Sequence, residues 1–467
     1  MNSWAASRNP APGGRCDSVK NRSLAGERPL RTAKPSPGRT LAWPAPARLS
    51  WMAFLAGIAS LPVASPVTLA CWLVALAALV RSGVGHRLGP AGRYLAATAL
   101  VLVAVVPFSV RPGDSLLGLF NYWPFFLFFG LAARLVDSPG RLRRVLQVVL
   151  VGALVTGGVG LVEWASGSNW QWEPVKGLVL LVIGSRQEAG ILDRVTAFFA
   201  WPTSAAAYFL LVLPVALSTA LGGEARLRPL AWAAFGAVGI ALVGTASRNA
   251  WIIALLASVA LLVVARRLVP VLSLAAAAAA VAVAGLGPTE WSVVELLRRV
   301  VPAALWQKVA ESVTSGTASF ESLINRFDAW QIAFEMTRRR PWTGWGLQTF
   351  PFVESEIFGR DAANLLHAHN LYLTYSAETG LPAALLLVGF YLWTLCVGVQ
   401  RAVMLKGVAR WQLAGLVAAL ASYLLFGLSD VPFYDARING LFWLWSGLIW
   451  SFPAGGAAQR TIEAKPS

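Results

Sequence analysis

The chain is short of the residues from which most enzyme centres are built. Its 467 residues include three cysteines and three histidines. Cys16, Cys71 and Cys396 stand alone, with no spacing that makes a disulfide framework or a thiolate metal cage. Charged residues are scarce, at 13%, and 22 acids face 39 bases. With so few acids, an all-oxygen site for a hard divalent cation is hard to assemble, and Glu354 with Glu356 lacks a partner set. No metal and no cofactor are expected. There is no internal repeat, and no short apolar region with a cleavage site follows the first charges as a secretory signal would require.

What the chain has instead is apolar length. Hydrophobic residues make up 57% of it, and the mean hydropathy is +0.60. A soluble globular fold is excluded by runs of the length that crosses a bilayer as a helix, about 17–25 residues. Twelve spans are expected, the first two left short by Pro62 and Pro66: 50–62, 66–80, 94–110, 115–133, 145–162, 197–221, 229–246, 249–265, 268–286, 381–399, 411–428 and 438–452. The fold class is therefore an all-α polytopic membrane protein. Residues 1–49, rich in Arg, Pro, Ser and Gly, read as a disordered cytoplasmic tail, and 453–467 as a second tail. Nine spans fill 50–286, a large loop fills 287–380, and three spans fill 381–452.

The formal charge of +17 would point to nucleic acid in a soluble protein. Here the distribution explains it. With both termini inside, 25 of the 39 bases and 5 of the 22 acids fall on the inner face, leaving 14 bases and 17 acids outside. Every short inner connection is basic, as the positive-inside rule demands. The charge belongs to topology, and no nucleic-acid partner is expected.

Two outer segments are long. The first, 163–196, holds three tryptophans and an apolar portion, 177–184, too short to span and expected to dip into the interface. The second, 287–380, is the largest non-membrane piece and should contain short amphipathic helices. In it Leu323, Phe327, Trp330 and Phe334 are spaced as one apolar helix face, with Arg326 on the flank. That helix should stop before Pro341. Gly344 to Gly346 then turns the chain. Residues 364–379 read as another helix along the surface, broken at Gly380 before the tenth span.

Two of the three histidines, His367 and His369, lie near the end of this loop; the third is His86. Histidine takes a proton near neutral pH. Arg194, Arg248 and Arg326 also fall on the outer side. Arg248 sits in a tight turn between two spans, where arginine is costly unless it snorkels, is paired or lines a polar cavity. Guanidinium groups grip phosphate oxygens and are permanently charged. Arginines beside a histidine at headgroup level suit one chemistry. The arginines would hold a lipid diphosphate and the charge on it as it leaves, while the histidine deprotonates an acceptor hydroxyl.

Five motifs then occur in order: Arg194-Val195-Thr196-Ala197-Phe198-Phe199, Thr245-Ala246-Ser247-Arg248-Asn249-Ala250, Arg326-Phe327-Asp328-Ala329-Trp330, Gly344-Trp345-Gly346-Leu347-Gln348-Thr349-Phe350 and His367-Ala368-His369-Asn370-Leu371-Tyr372-Leu373. In this order the chain resembles the O-antigen ligase and polymerase superfamily over residues 190–400. The resemblance implies a metal-independent glycosyltransferase of the bacterial inner membrane, acting at its periplasmic face. Its donor would be an undecaprenyl-diphosphate glycan and its acceptor a lipid A–core sugar or another glycan. By motif, His369 would be the base, with His367 as the alternative. Arg248 and Arg326 would bind the diphosphate, with Arg194 donor-side or structural, and Asn370 and His367 on the substrate side. Ala197 stands where many members carry glycine. A polymerase, whose acceptor is another lipid-linked glycan, stays open. So does a transporter of charged lipids, although that would need ionisable groups near the midplane and matching broken helices, and neither is evident.

Overall fold

The computed structural model describes residues 45–83, 89–168, 170–172, 183–184, 194–353 and 366–452, with positions 45, 171, 183–184 and 318–323 in backbone only. Its first helices are α1 (Ala45–Ser60), α2 (Ser65–Arg81), α3 (Pro90–Val105), α4 (Pro112–Gly118), α5 (Trp123–Leu135) and α6 (Pro139–Ser166). Then come α7 (Pro202–Gly222), α8 (Arg228–Gly244), α9 (Arg248–Val264) and α10 (Leu268–Leu286). Three helices follow outside the predicted spans: α11 (Ser292–Val300), α12 (Ala303–Glu311) and α13 (Ala318–Arg339). The short α14 (Phe350–Phe352) precedes α15 (Leu371–Met404), α16 (Gly407–Phe426) and α17 (Ala436–Ser451). The described strands are the two-residue pair β1 (Gln171–Trp172) and β2 (Ile183–Gly184), antiparallel.

The twelve expected segments fall largely on helix, but 115–133 is divided between α4 and α5, 197–201 precedes α7, and the number of spans is not fixed at twelve. Among the described residues, eight helices are long and apolar enough to cross a membrane, and α2 and α9 are shorter apolar helices of 17 residues. The protein is an all-helical, polytopic membrane protein. Helix α1 begins at Ala45, so it takes the last residues of the expected tail; residues 1–44 and 453–467 lie outside the described residues, as do His86, Glu354, Glu356 and most of 177–184.

α7 is the central helix, buried along almost its whole length between α8, α9, α16 and α17. In a bilayer, helices associate through close packing rather than apolar burial, so small residues matter at their crossings. Where α16 meets α7, a Cβ on Gly415 would stand 2.0 Å from the Ser218 hydroxyl oxygen. A cluster of rings from α3, α5, α15 and α17, including Phe129, Phe390 and Trp443, fills the neighbouring interface, with Phe390 and Trp443 stacked at 5.5 Å.

Two expectations for the large loop change. α13 ends at Arg339, as Pro341 requires, but it packs through another face. Phe327 and Phe334 are exposed, while Ala329, Ile332, Ala333 and Met336 are buried against Trp345, Phe350, Ala368 and Ala377. That face is the one turned to the start of α15, and the Trp345 and Phe350 rings complete its cover. Residues 366–370 are not helical; the helix starts at Leu371, and its first turns are buried rather than laid along the surface. Gly380 breaks α15 as expected, at φ 77° and ψ 165°, a backbone region reserved for glycine.

Candidate functional site

The loops predicted to share the outer face meet at one end of the helix bundle. The segment at Arg194 is joined to the α8–α9 turn: the Val195 N–H donates to Gly244 O at 2.9 Å, and Arg194 Nε to Thr245 O at 2.8 Å. Gly244 permits this approach, since a Cβ there would lie 2.5 Å from Val195 Cγ2. The same segment is held from the other side by Glu163, on the last turns of α6. One carboxylate oxygen accepts the Thr196 and Ala197 N–H groups at 2.9 and 2.7 Å, and the other accepts the Thr196 hydroxyl at 3.2 Å. Glu163 is buried and was not picked out by sequence reasoning.

Arg248 opens α9 and donates to Lys308 O and to the Ser312 hydroxyl, tying the α8–α9 turn to α12. Arg326 is brought in by α13, and its Nε is buried with no hydrogen-bond partner among the described residues. A buried guanidinium N–H without an acceptor calls for an oxygen from elsewhere. The three arginines sense one another. Burial first, then the charges of Arg248 and Arg326, lowers the Arg194 guanidinium from its ordinary range.

The charge of Arg326 also reaches the histidine loop. Asn370 caps α15, its carboxamide oxygen accepting the Tyr372 and Leu373 N–H groups while its Nδ2 donates to Leu428 O. Its side chain is thus engaged in fixing the loop. The His369 N–H donates to His367 Nδ1 at 3.2 Å, the Trp330 indole N–H to His369 O at 3.5 Å, and the two imidazoles meet edge-on at 4.4 Å. His367 stacks on Tyr434, whose hydroxyl donates to the buried Glu378 carboxylate at 3.0 Å. Burial pushes the His367 imidazole down to about 4, so it is neutral at pH 7; Asp430 opposes the shift, and His369 and Arg326 add to it. His369 Nδ1 stands 3.7 Å from Asp430 Oδ1, in the α16–α17 connection. Burial alone would raise the Asp430 carboxyl, but His369, His367 and Arg326 together hold it well below the usual carboxylate range.

Four non-glycine residues around this site have left-handed backbones: Ala197 at φ 50°, Ala246 at 53°, Gln348 at 60° and His369 at 48°. Such strain persists where the surroundings over-determine it, and it gathers at functional sites. The Ala197 value explains why glycine suits that position.

Residues 232–388 match the family model described as O-antigen ligase. The match lies within the 190–400 region that carries the motifs, and it supports a relation to the O-antigen ligase superfamily. No curated protein matches it. Members of this family are glycosyltransferase-like enzymes acting on lipid-linked glycans. The matched segment holds Arg248, Arg326, His367 and His369, whereas Glu163, Arg194, Asp430 and Tyr434 reach the same site from outside it. Asp430 had one signal in the sequence: with Asp435 it is one of two acids in the short connection between the last two spans.

His367, His369 and Asp430 also have their ligand atoms within 4.8 Å of one another, close enough for one metal ion. The charge of Arg326 reaches both His367 and Asp430 and works against a cation there.

Proposed function

We propose that the protein is an O-antigen ligase of the bacterial inner membrane. It transfers a glycan from undecaprenyl diphosphate to a hydroxyl of a lipid A–core sugar at the periplasmic face. The observation that carries this reading is the buried Arg326 Nε, without a partner among the described residues, on a side chain whose charge reaches Arg194 and Arg248 as well as His367 and Asp430. Arg248 and Arg326 bind the donor diphosphate, and Arg194 completes the positive field. His369 is the general base. With Nδ1 turned to Asp430, its Nε2 is left to take the proton of the acceptor hydroxyl. The hydroxyl oxygen bonds to the anomeric carbon, the bond from that carbon to the diphosphate oxygen breaks, and the arginines receive the charge on the departing diphosphate. His367 is neutral, and its Nδ1 is occupied by the His369 N–H, so it positions the base. Asn370 acts in the same way, as the cap that fixes the loop.

Purified protein in nanodiscs, supplied with an undecaprenyl-diphosphate glycan and lipid A–core, should form glycosylated lipid A–core. A chelator should leave the rate unchanged, because fixed arginines neutralise the diphosphate. No product on lipid A–core, with elongation of a second lipid-linked glycan instead, would replace the ligase by a polymerase. Loss of activity with chelator, restored by a divalent metal, would turn the His367, His369 and Asp430 trio into a metal centre.

A further inference from the structure

Beside the histidines lies a cavity of about 580 Å³ whose walls come from parts of the chain far apart in sequence. Trp201, Thr203 and Ser204 enter from the start of α7, Tyr434 and Arg437 from the α16–α17 connection and α17, and His369 from the loop before α15. This is within the usual size range of small-molecule sites, about 300–1,000 Å³. Arg194, Arg248 and Arg326 are not among its walls.

The wall charges distinguish it from a phosphate cradle. Asp430 and Asp435 both line it. Its single arginine, Arg437, is already committed: Nη2 and Nε donate to Asp435 at 2.7 and 3.0 Å, and Nη1 donates to Phe198 O at 2.6 Å. That pair cancels, leaving Asp430 as the net charge of the described walls apart from the histidines. The described walls therefore offer a diphosphate or a phosphorylated sugar no uncommitted arginine or lysine to bind it. An uncharged ring is suited to it: Trp201 and Tyr434 put aromatic surface in its walls, and Thr203 and Ser204 put hydroxyls there.

We propose that this cavity is the acceptor site and that it takes one uncharged, non-phosphorylated pyranose of the acceptor glycan. The assignment rests on the reading of His369 as general base. It adds that donor and acceptor occupy separate chambers on either side of the His369 loop, the donor with the arginines and the acceptor against Trp201 and Tyr434. Specificity for the acceptor ring therefore lies at the start of α7 and in the α16–α17 connection, largely outside the matched family segment.

The test fills the cavity. Thr203→Trp should raise the acceptor KM at least tenfold and leave the donor KM within about twofold of wild type. A second measurement does not depend on tolerance of the larger side chain. With Cys16, Cys71 and Cys396 replaced by serine, the Thr203→Cys thiol should be alkylated by a maleimide. Phosphate-free core oligosaccharide should slow that reaction at least fivefold; undecaprenyl diphosphate and a sugar phosphate should not. Protection by undecaprenyl diphosphate and none by oligosaccharide would make this the donor chamber and overturn the inference. An unchanged acceptor KM in a folded Thr203→Trp protein would overturn it as well. The underlying reading fails separately: donor binding that survives loss of both Arg248 and Arg326 would refute the diphosphate assignment, whatever happens at Thr203.

Discussion

Glu163 offers the sharpest test of how the arginine side of the site is held. Its carboxylate accepts two backbone N–H groups and one hydroxyl from Thr196 and Ala197, two and three residues beyond Arg194. Glu163→Ala leaves both N–H groups buried without acceptors. Each unsatisfied buried donor costs about 1–3 kcal/mol, so about 2–6 kcal/mol is at stake locally. The segment also carries Ala197 at φ 50°, a conformation that costs a non-glycine residue about 1–2 kcal/mol. Without Glu163 the segment keeps the Val195 N–H bond to Gly244 O and the Arg437 bond to Phe198 O, but neither holds the Thr196 and Ala197 N–H groups, so the strain can relax and Arg194 should leave Thr245 O. Glu163→Gln can still accept both N–H groups through its carbonyl oxygen and lose only the charge assistance, about 1 kcal/mol. In nanodiscs, the thermal midpoint and the affinity for undecaprenyl diphosphate should both fall in the order wild type, Gln, Ala. Ala197→Gly should restore part of the loss in the Glu163→Ala background, because it removes the strain. A Glu163→Ala protein with wild-type midpoint and wild-type donor affinity would refute the reasoning.

The other predictions concern the catalytic groups and the topology. Arg248→Lys keeps the charge but loses the planar fork, so donor affinity should drop, and it should drop further in Arg248→Ala; equal affinity for Lys and wild type would deny a forked contact. His369→Ala should slow transfer by about 10²–10⁴ while donor binding persists; activity surviving there but lost in His367→Ala would make His367 the base. Folded His367 holds its proton only below about 4, against an unfolded value near 6.5, so between those values the unfolded chain binds more protons. Stability should therefore fall on acidification through that window, by about 3 kcal/mol at most, and His367→Gln should flatten the thermal midpoint against pH. A cysteine at the exposed Ser315, in a cysteine-free background, should react with an impermeant thiol reagent from the periplasmic side of intact cells. Reaction only after the inner membrane is opened would overturn the orientation.

The helices are legible in the apolar runs, because each run must satisfy its own backbone in hydrocarbon and can do so only as a helix. The sequence shows where α13 stops and where α15 breaks, since Pro341 and Gly380 act on the local backbone. It also singled out Arg194, Arg248, Arg326 and the two histidines, because charge and imidazole are rare in so apolar a chain. Which faces are buried depends on how the helices pack against one another. α13 carries apolar residues on more than one side, and its contact with the start of α15 selected Ala329 and Ala333 over Phe327 and Phe334. The span periodicity likewise could not show that Asn370 caps a buried helix, because a cap is defined by where the helix begins. Asp430 and Glu163 stayed hidden for a related reason. Each is an ordinary acid near the end of an apolar segment, and its role comes from a partner 61 or 33 residues away that only helix packing brings within reach.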